Sequence, residues 1–167
     1  MPGSMEKIGL KVYEIVPGLV YQRGEFLKYD AAFKAGCLDS LEISSVVCLV
    51  DHYDTDMESL LGERYLFLPI SDGKKVGKIV LQAAKKVGDW IVENNSKVLV
   101  HCRVGRNRSS LFSALLVVRL LGLTGSKAVE YMQIKRPRAL ANEHFVRFLK
   151  TIKRYDKVLG KYRRVHS

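Results

Sequence analysis

Val98-Leu99-Val100-His101-Cys102-Arg103-Val104-Gly105-Arg106-Asn107-Arg108-Ser109-Ser110 is the stretch that decides how this chain is read. Its apolar opening has the composition of a buried strand, its middle is a polar loop with one glycine, and an apolar helical pattern follows from about Ser109 to Leu121. That order sets a cysteine at the carboxyl edge of a sheet, facing a helix N-terminus whose unpaired amides and dipole favour an anion. Gly105 lets the backbone close tightly around such an anion with no Cβ in the way.

Arg108 lies six positions after Cys102 and returns to the mouth of the same loop, where its planar fork suits two oxygens of a tetrahedral anion. The helix terminus and the guanidinium both favour the thiolate of Cys102, the nucleophilic form. His101 is expected to position the cysteine and loop through hydrogen bonds, and Ser109 to donate to the sulfur when it leaves. Residues Arg103, Val104, Gly105, Arg106, Asn107 and Arg108 are expected to form the substrate-binding cradle. In a chain with three cysteines and twelve arginines, a Cys-x5-Arg spacing alone says little. The preceding histidine, central glycine, following serine and strand-to-helix setting give it weight. An inert cysteine ending a strand would leave three loop arginines unexplained.

Outward from this segment, β-branched and aromatic runs predict strands over 11–16, 19–22, 45–50, 65–69 and 97–101. Apolar residues from Val76 to Ile91 recur at three- and four-residue spacing and predict one long amphipathic helix. Further helices are predicted over 109–121, 126–135 and, from Phe145, Phe148, Leu149, Ile152, Tyr155 and Leu159, near the C-terminus. Gly122 closes the first of these, and Pro137 follows the end of the second. Crossovers long enough for parallel pairing give an α/β fold: a central, mostly parallel sheet of about five strands flanked by helices.

With 47% apolar and 27% charged residues among 167, a packed core is expected. One domain is expected over 5–167, and Met1-Pro2-Gly3-Ser4 before Met5 has the look of a tag remnant. The longest apolar run, Leu111 to Leu123, contains Arg119 and falls short of the roughly 20 residues that cross a bilayer, so it reads as a buried helix. There is no apolar signal region. Cys37, Cys48 and Cys102 are too few and too odd in number for a disulfide framework, which agrees with a cytoplasmic location. With no C-x-x-C pair, no structural zinc is expected, and no cofactor. A net charge of +11 attracts polyanions, whether phosphorylated proteins, lipid head groups or RNA.

The segment His101 to Ser109 matches in full the pattern His-Cys-x-x-Gly-x-x-Arg-Ser/Thr, and here the chain resembles the cysteine-dependent protein tyrosine phosphatase superfamily. Its small size and order are most similar to the dual-specificity branch. The likeness runs from about Val12 to Tyr155 and includes Leu19-Val-Tyr-Gln-Arg-Gly24, Val46-Val-Cys-Leu-Val50 and Phe67-Leu-Pro-Ile-Ser-Asp72. It implies a phosphomonoester hydrolase working through a phosphocysteine, without a metal. It also implies a general acid, and Asp72, thirty residues before Cys102 in a Ser-Asp-Gly loop, stands about where the family carries one. Asp51, Asp54 and Asp56 read as turn and cap residues. Near the end the chain departs from the pattern Pro-Asn-x-Gly-Phe-x-x-Gln, reading Ala141-Asn-Glu-His-Phe-Val-Arg-Phe148, so Phe148 replaces a glutamine that helps to orient the hydrolytic water. Asn142 reads as a helix cap.

The resemblance implies a shallow site accepting phosphotyrosine and phosphoserine/threonine in proteins. Arg103 and Arg106 keep a second substrate class open, since basic residues at these positions also occur in inositol-lipid phosphatases; Lys74 and Lys75 add to the same field. An RNA 5′ end and a phosphate-reading module without turnover stay open as well. Cys48, on a strand next to that of Cys102, reads either as a buried hydrophobe or as an oxidative partner of Cys102. The arginines of Lys135-Arg-Pro-Arg138 read either as substrate contacts or as helix-end solvation.

Overall fold

The computed structural model describes residues 11–26, 28–153 and 158–160. The expected tag remnant, Met1–Ser4, and Tyr155 of the C-terminal pattern lie outside the described residues. Strands β1 (Tyr13–Val16), β2 (Val20–Arg23), β3 (Ser45–Cys48), β4 (Tyr65–Phe67) and β5 (Val98–His101) form one sheet in the order β1-β2-β5-β3-β4. The β1–β2 pair is antiparallel; β2–β5, β5–β3 and β3–β4 are parallel.

The expected α/β fold is thus present, with element ends that differ for local reasons. β4 stops two residues early, before Pro69, which has no N–H for the ladder. Leu19 belongs to the β1–β2 turn, its N–H bonded to Val16 O, so β2 starts one residue later and takes in Arg23. The center of the sheet is β5. All four of its residues are buried, and register sets His101 between Arg23 and Cys48.

Among the described residues six α-helices flank the sheet: α1 (Ala31–Ser40), α2 (Thr55–Leu61), α3 (Lys78–Asn94), α4 (Arg108–Leu121), α5 (Gly125–Lys135) and α6 (Glu143–Lys150). A 3₁₀ turn, Gly62–Arg64, links α2 to β4. In α4 every residue from Ser109 to Leu120 is buried, as an all-round apolar helix requires, and burying a side chain such as Phe112 stabilises by roughly 1.5–3 kcal/mol. Helix α4 packs on β2 and β5, and α3, α5 and α6 pack on α4. Gly122 ends α4 at φ 68°, the left-handed cap expected of it. At Gly125 a Cβ would come within 1.7 Å of Leu149 O, so this glycine sets how closely α5 meets α6.

Helix α6 ends at Lys150, well short of the expected reach to Leu159, although Leu159 is itself buried. The apolar spacing continued past the turn at Thr151, so periodicity outran the helix. Helices α1 and α2 were not anticipated. Among the residues of α1 only Lys34, Cys37 and Leu38 are buried, so it has no apolar stripe to read. Helix α2 is just seven residues long, begun by Asp54, which accepts from the N–H groups of Asp56 and Met57. Asp54 and Asp56 also pair with the buried Lys34 at 3.0 and 2.9 Å, fastening α1 to α2. No single helix among the described residues is long and apolar enough to cross a membrane.

Candidate active site

Strand β5 delivers Cys102 to the carboxyl edge of the sheet, and the chain then loops into the N-terminus of α4. Cys102 is 3% exposed, and its sulfur accepts two hydrogen bonds, from Ser109 Oγ at 2.8 Å and from the Gly105 amide at 3.2 Å. Gly105 has φ 72°, and a Cβ there would lie 2.7 Å from the Arg23 carbonyl carbon, so both its conformation and its space exclude a side chain.

Asn107 stands at the N-cap of α4 without making a capping bond, because its Oδ1 accepts instead from the Asn142 N–H at 3.1 Å, while its Nδ2 donates to Asp72 Oδ2 at 3.1 Å. The helix terminus is thereby left for an anion. Asn142 Nδ2 donates to Asp72 Oδ1 at 2.7 Å and to Gly73 O at 3.1 Å, so two asparagine amides hold one exposed carboxylate over the loop. Asn142 is the expected cap of α6, accepting from the N–H groups of His144 and Phe145, but it is equally the tether of Asp72, which its sequence did not reveal.

A cleft of about 470 Å³ is lined by Asp72, Arg108, Arg103, Ile70 and Asp51. Arg108 donates from Nη1 to Ile70 O at 3.3 Å, which brings its guanidinium beside the Asp72 loop. Asp51, expected to be a turn residue, is a wall of this cleft. Arg106 donates its Nε to Arg138 O at 2.8 Å, away from the residues that line the cleft. Val104 is 67% exposed at the crest of the loop. Lys74 and Lys75 are exposed, and Phe148 is partly buried against the core.

His101 is buried at the end of β5. The ring leans toward the Cys102 backbone without closing a well-formed hydrogen bond, and both of its nitrogens are buried without a partner among the described residues. It packs edge-on against Phe26 at 5.6 Å. Burial, and then the Arg23 charge, bring its pKa down to about 4, so the ring is neutral at ordinary pH. Cys48 is fully buried and burial pushes its thiol up, which favours the buried-hydrophobe reading over an oxidative partner.

Two residues hold the loop in ways the sequence reading did not anticipate. Gln22, fully buried on β2, donates from Nε2 to Gly105 O at 3.0 Å and to Ser110 Oγ at 2.8 Å, and accepts from Ser113 Oγ at 2.8 Å. Its signal was an amide inside an otherwise apolar strand. Arg136 donates from Nε to the same Gly105 O at 2.9 Å, which assigns one arginine of the Lys135–Arg138 run to the loop itself.

A cysteine-centred anion cradle at the carboxyl edge of a mostly parallel α/β sheet is the class that fold and site define together. The family model described as the dual specificity phosphatase catalytic domain matches residues 26–155, and the chain belongs to that family within the cysteine-dependent protein tyrosine phosphatase superfamily. Dual specificity protein phosphatase 1 of Arabidopsis thaliana is 28% identical over 120 residues, covering 72% of this chain and 50% of its own length. MAP kinase phosphatase with leucine-rich repeats protein 3 of Dictyostelium discoideum is 26% identical over 135 residues, covering 79% of this chain and 15% of its own. The chain thus spans half or less of the length of these curated relatives. The crystal structure of Cydia pomonella PTP-2 phosphatase superimposes with a TM-score of 0.71 at 22% identity, covering 84% of this chain and 89% of that one, a likeness of fold.

Proposed function

We propose that this chain is a cytoplasmic cysteine-dependent phosphatase that hydrolyses phosphotyrosine and phosphoserine/threonine in proteins through a phosphocysteine intermediate. The observation that carries the reading is the doubly hydrogen-bonded Cys102 sulfur, with Ser109 Oγ at 2.8 Å and the Gly105 amide at 3.2 Å, beside an uncapped helix N-terminus. In the first half-reaction the sulfur attacks phosphorus, the ester P–O bond breaks, and Asp72 gives its proton to the leaving oxygen. The loop amides and the Arg108 fork carry the charge spread over the transferring phosphoryl group. In the second, Asp72 as carboxylate takes a proton from water, the water oxygen attacks phosphorus, and the S–P electrons return to sulfur. Ser109 Oγ–H steadies the thiolate so formed, and phosphate departs. The two asparagine amides on Asp72 support its role, since they fix the carboxyl group over the cleft that Arg108 lines.

Turnover of a small aryl phosphate in the presence of a chelator tests the reading. Cys102→Ser is expected to abolish turnover while retaining binding of a phosphate mimic, and Asp72→Ala to slow alkyl phosphates more than aryl ones. Full activity in both variants overturns the assignment of roles. Preference for soluble inositol phosphates or for 5′-triphosphorylated RNA over phosphopeptides overturns the substrate class.

A further inference from the structure

Gln22 stands on β2, a strand whose residues are all buried, and an amide is a costly occupant of such a place unless its polar atoms are met. Three groups meet them. Nε2 donates to Gly105 O at 3.0 Å and to Ser110 Oγ at 2.8 Å, and Oε1 accepts from Ser113 Oγ at 2.8 Å. Gly105 O can only accept, so the amide nitrogen faces the catalytic loop and the amide oxygen faces Ser113. Both amide hydrogens are thereby used, one on the loop and one on α4.

Each of these two bonds leads within one residue to a donor on the Cys102 sulfur. Gly105, whose carbonyl Gln22 holds, gives its own N–H to Sγ at 3.2 Å. Ser110, whose hydroxyl Gln22 holds, follows Ser109, whose Oγ lies 2.8 Å from Sγ. The glycine is the weaker of the two supports. A residue with no Cβ moves among several conformations at little cost, so its φ of 72° needs a hold from outside the loop. Arg136 reaches the same carbonyl from a half-buried position on the Tyr13 ring, whereas Gln22 grips it from the core. Ser113 touches neither the loop nor the sulfur; its bond to Oε1 orients the Gln22 amide from behind.

We infer that Gln22 is the positioning residue of the nucleophile: it fixes both hydrogen-bond donors on the Cys102 sulfur at once and so favours the thiolate. The inference rests on the proposed cysteine-dependent mechanism. Displacing either donor weakens a bond made to the charged sulfur, and the thiolate is the form that attacks.

Alkylation of Cys102 by iodoacetamide, read by mass spectrometry on the peptide that carries it, tests this without a substrate. At about pH 6 the thiolate fraction limits the rate, and Gln22→Met, which keeps the length of the side chain and loses the amide, should react about fivefold or more slowly than the parent. At about pH 9.5, where the thiol is ionised in both, the two rates should agree within about twofold. Ser113→Ala should slow the reaction at the lower pH by about twofold or more, and should add nothing further in the Gln22→Met background, because it acts through the amide alone. Should Gln22→Met fail to fold, Ser113→Ala carries the test. Unchanged alkylation at the lower pH in folded variants reduces Gln22 to a structural role and overturns the inference. An equal loss at both pH values, which reports access to the sulfur instead of its charge, overturns it too, as does a Ser113→Ala effect that persists without the amide. Absence of aryl phosphate turnover by the parent overturns the phosphatase reading instead, while the alkylation rates still decide the role of Gln22.

Discussion

Replacing Asn142 by serine separates the two duties of one side chain. Its Oδ1 caps α6, and its Nδ2 holds Asp72 at 2.7 Å. Serine keeps a capping oxygen and loses the amide donor, whereas alanine loses both. A hydrogen bond contributes roughly 0.5–1.5 kcal/mol, which puts this one near about 1 kcal/mol. Since 1.36 kcal/mol is tenfold in rate, kcat/KM on an alkyl phosphate should fall about five- to tenfold in Asn142→Ser. The Asn107 amide, 3.1 Å from the other carboxylate oxygen, still holds Asp72, which keeps the loss from being larger. An aryl phosphate with a good leaving group needs little help from an acid and should lose no more than about twofold. Thermal unfolding of Asn142→Ser should match the parent, while Asn142→Ala, uncapped, should lose about 1 kcal/mol, or roughly 2–4 °C. The reasoning fails if Asn142→Ser leaves alkyl turnover intact, or if it lowers alkyl and aryl turnover equally.

His101 should make stability depend on pH in a definite direction. Its pKa is about 4 in the fold against 6.5 when unfolded, so between those values the unfolded chain binds the extra proton. Stability is therefore full above about 6.5 and declines as pH falls toward 4, by about 3 kcal/mol in all; urea unfolding of the parent and of His101→Gln across this range should differ by that slope. Gly105→Ala should cost about 2–5 kcal/mol in denaturant unfolding, from a left-handed φ of 72° plus a Cβ 2.7 Å from the Arg23 backbone, and should remove turnover. Gln22→Leu leaves Ser110 and Ser113 without their buried partner and should cost about 2–4 kcal/mol, with lowered kcat on an aryl phosphate as the loop loses one of its two anchors at Gly105 O.

The sheet was legible because β-branched runs and crossover lengths leave few topologies, and the loop after Cys102 because a glycine between an apolar strand and an apolar helix marks a tight turn there. Local signals did less well where stability comes from elsewhere. Helix α1 is held by the buried Lys34 and its two aspartates, a pairing between residues twenty or more positions apart that no periodicity records. The support of the active site was hidden for the same reason. Asp72, Asn107 and Asn142 lie on three separate segments, and only the fold brings their side chains together. Gln22 went unnoticed because an amide in a strand looks like a solvent-facing residue until the strand proves buried on both faces.

Rapid-quench mass spectrometry during turnover of a good aryl phosphate tests the account most directly. One phosphoryl group should be found on the peptide that carries Cys102, accumulating further in Ser109→Ala, where the departing sulfur loses its 2.8 Å hydrogen bond. A phosphoryl group on another residue, a Cys102 peptide never modified during turnover by the parent, or steady turnover by Cys102→Ser, would contradict it.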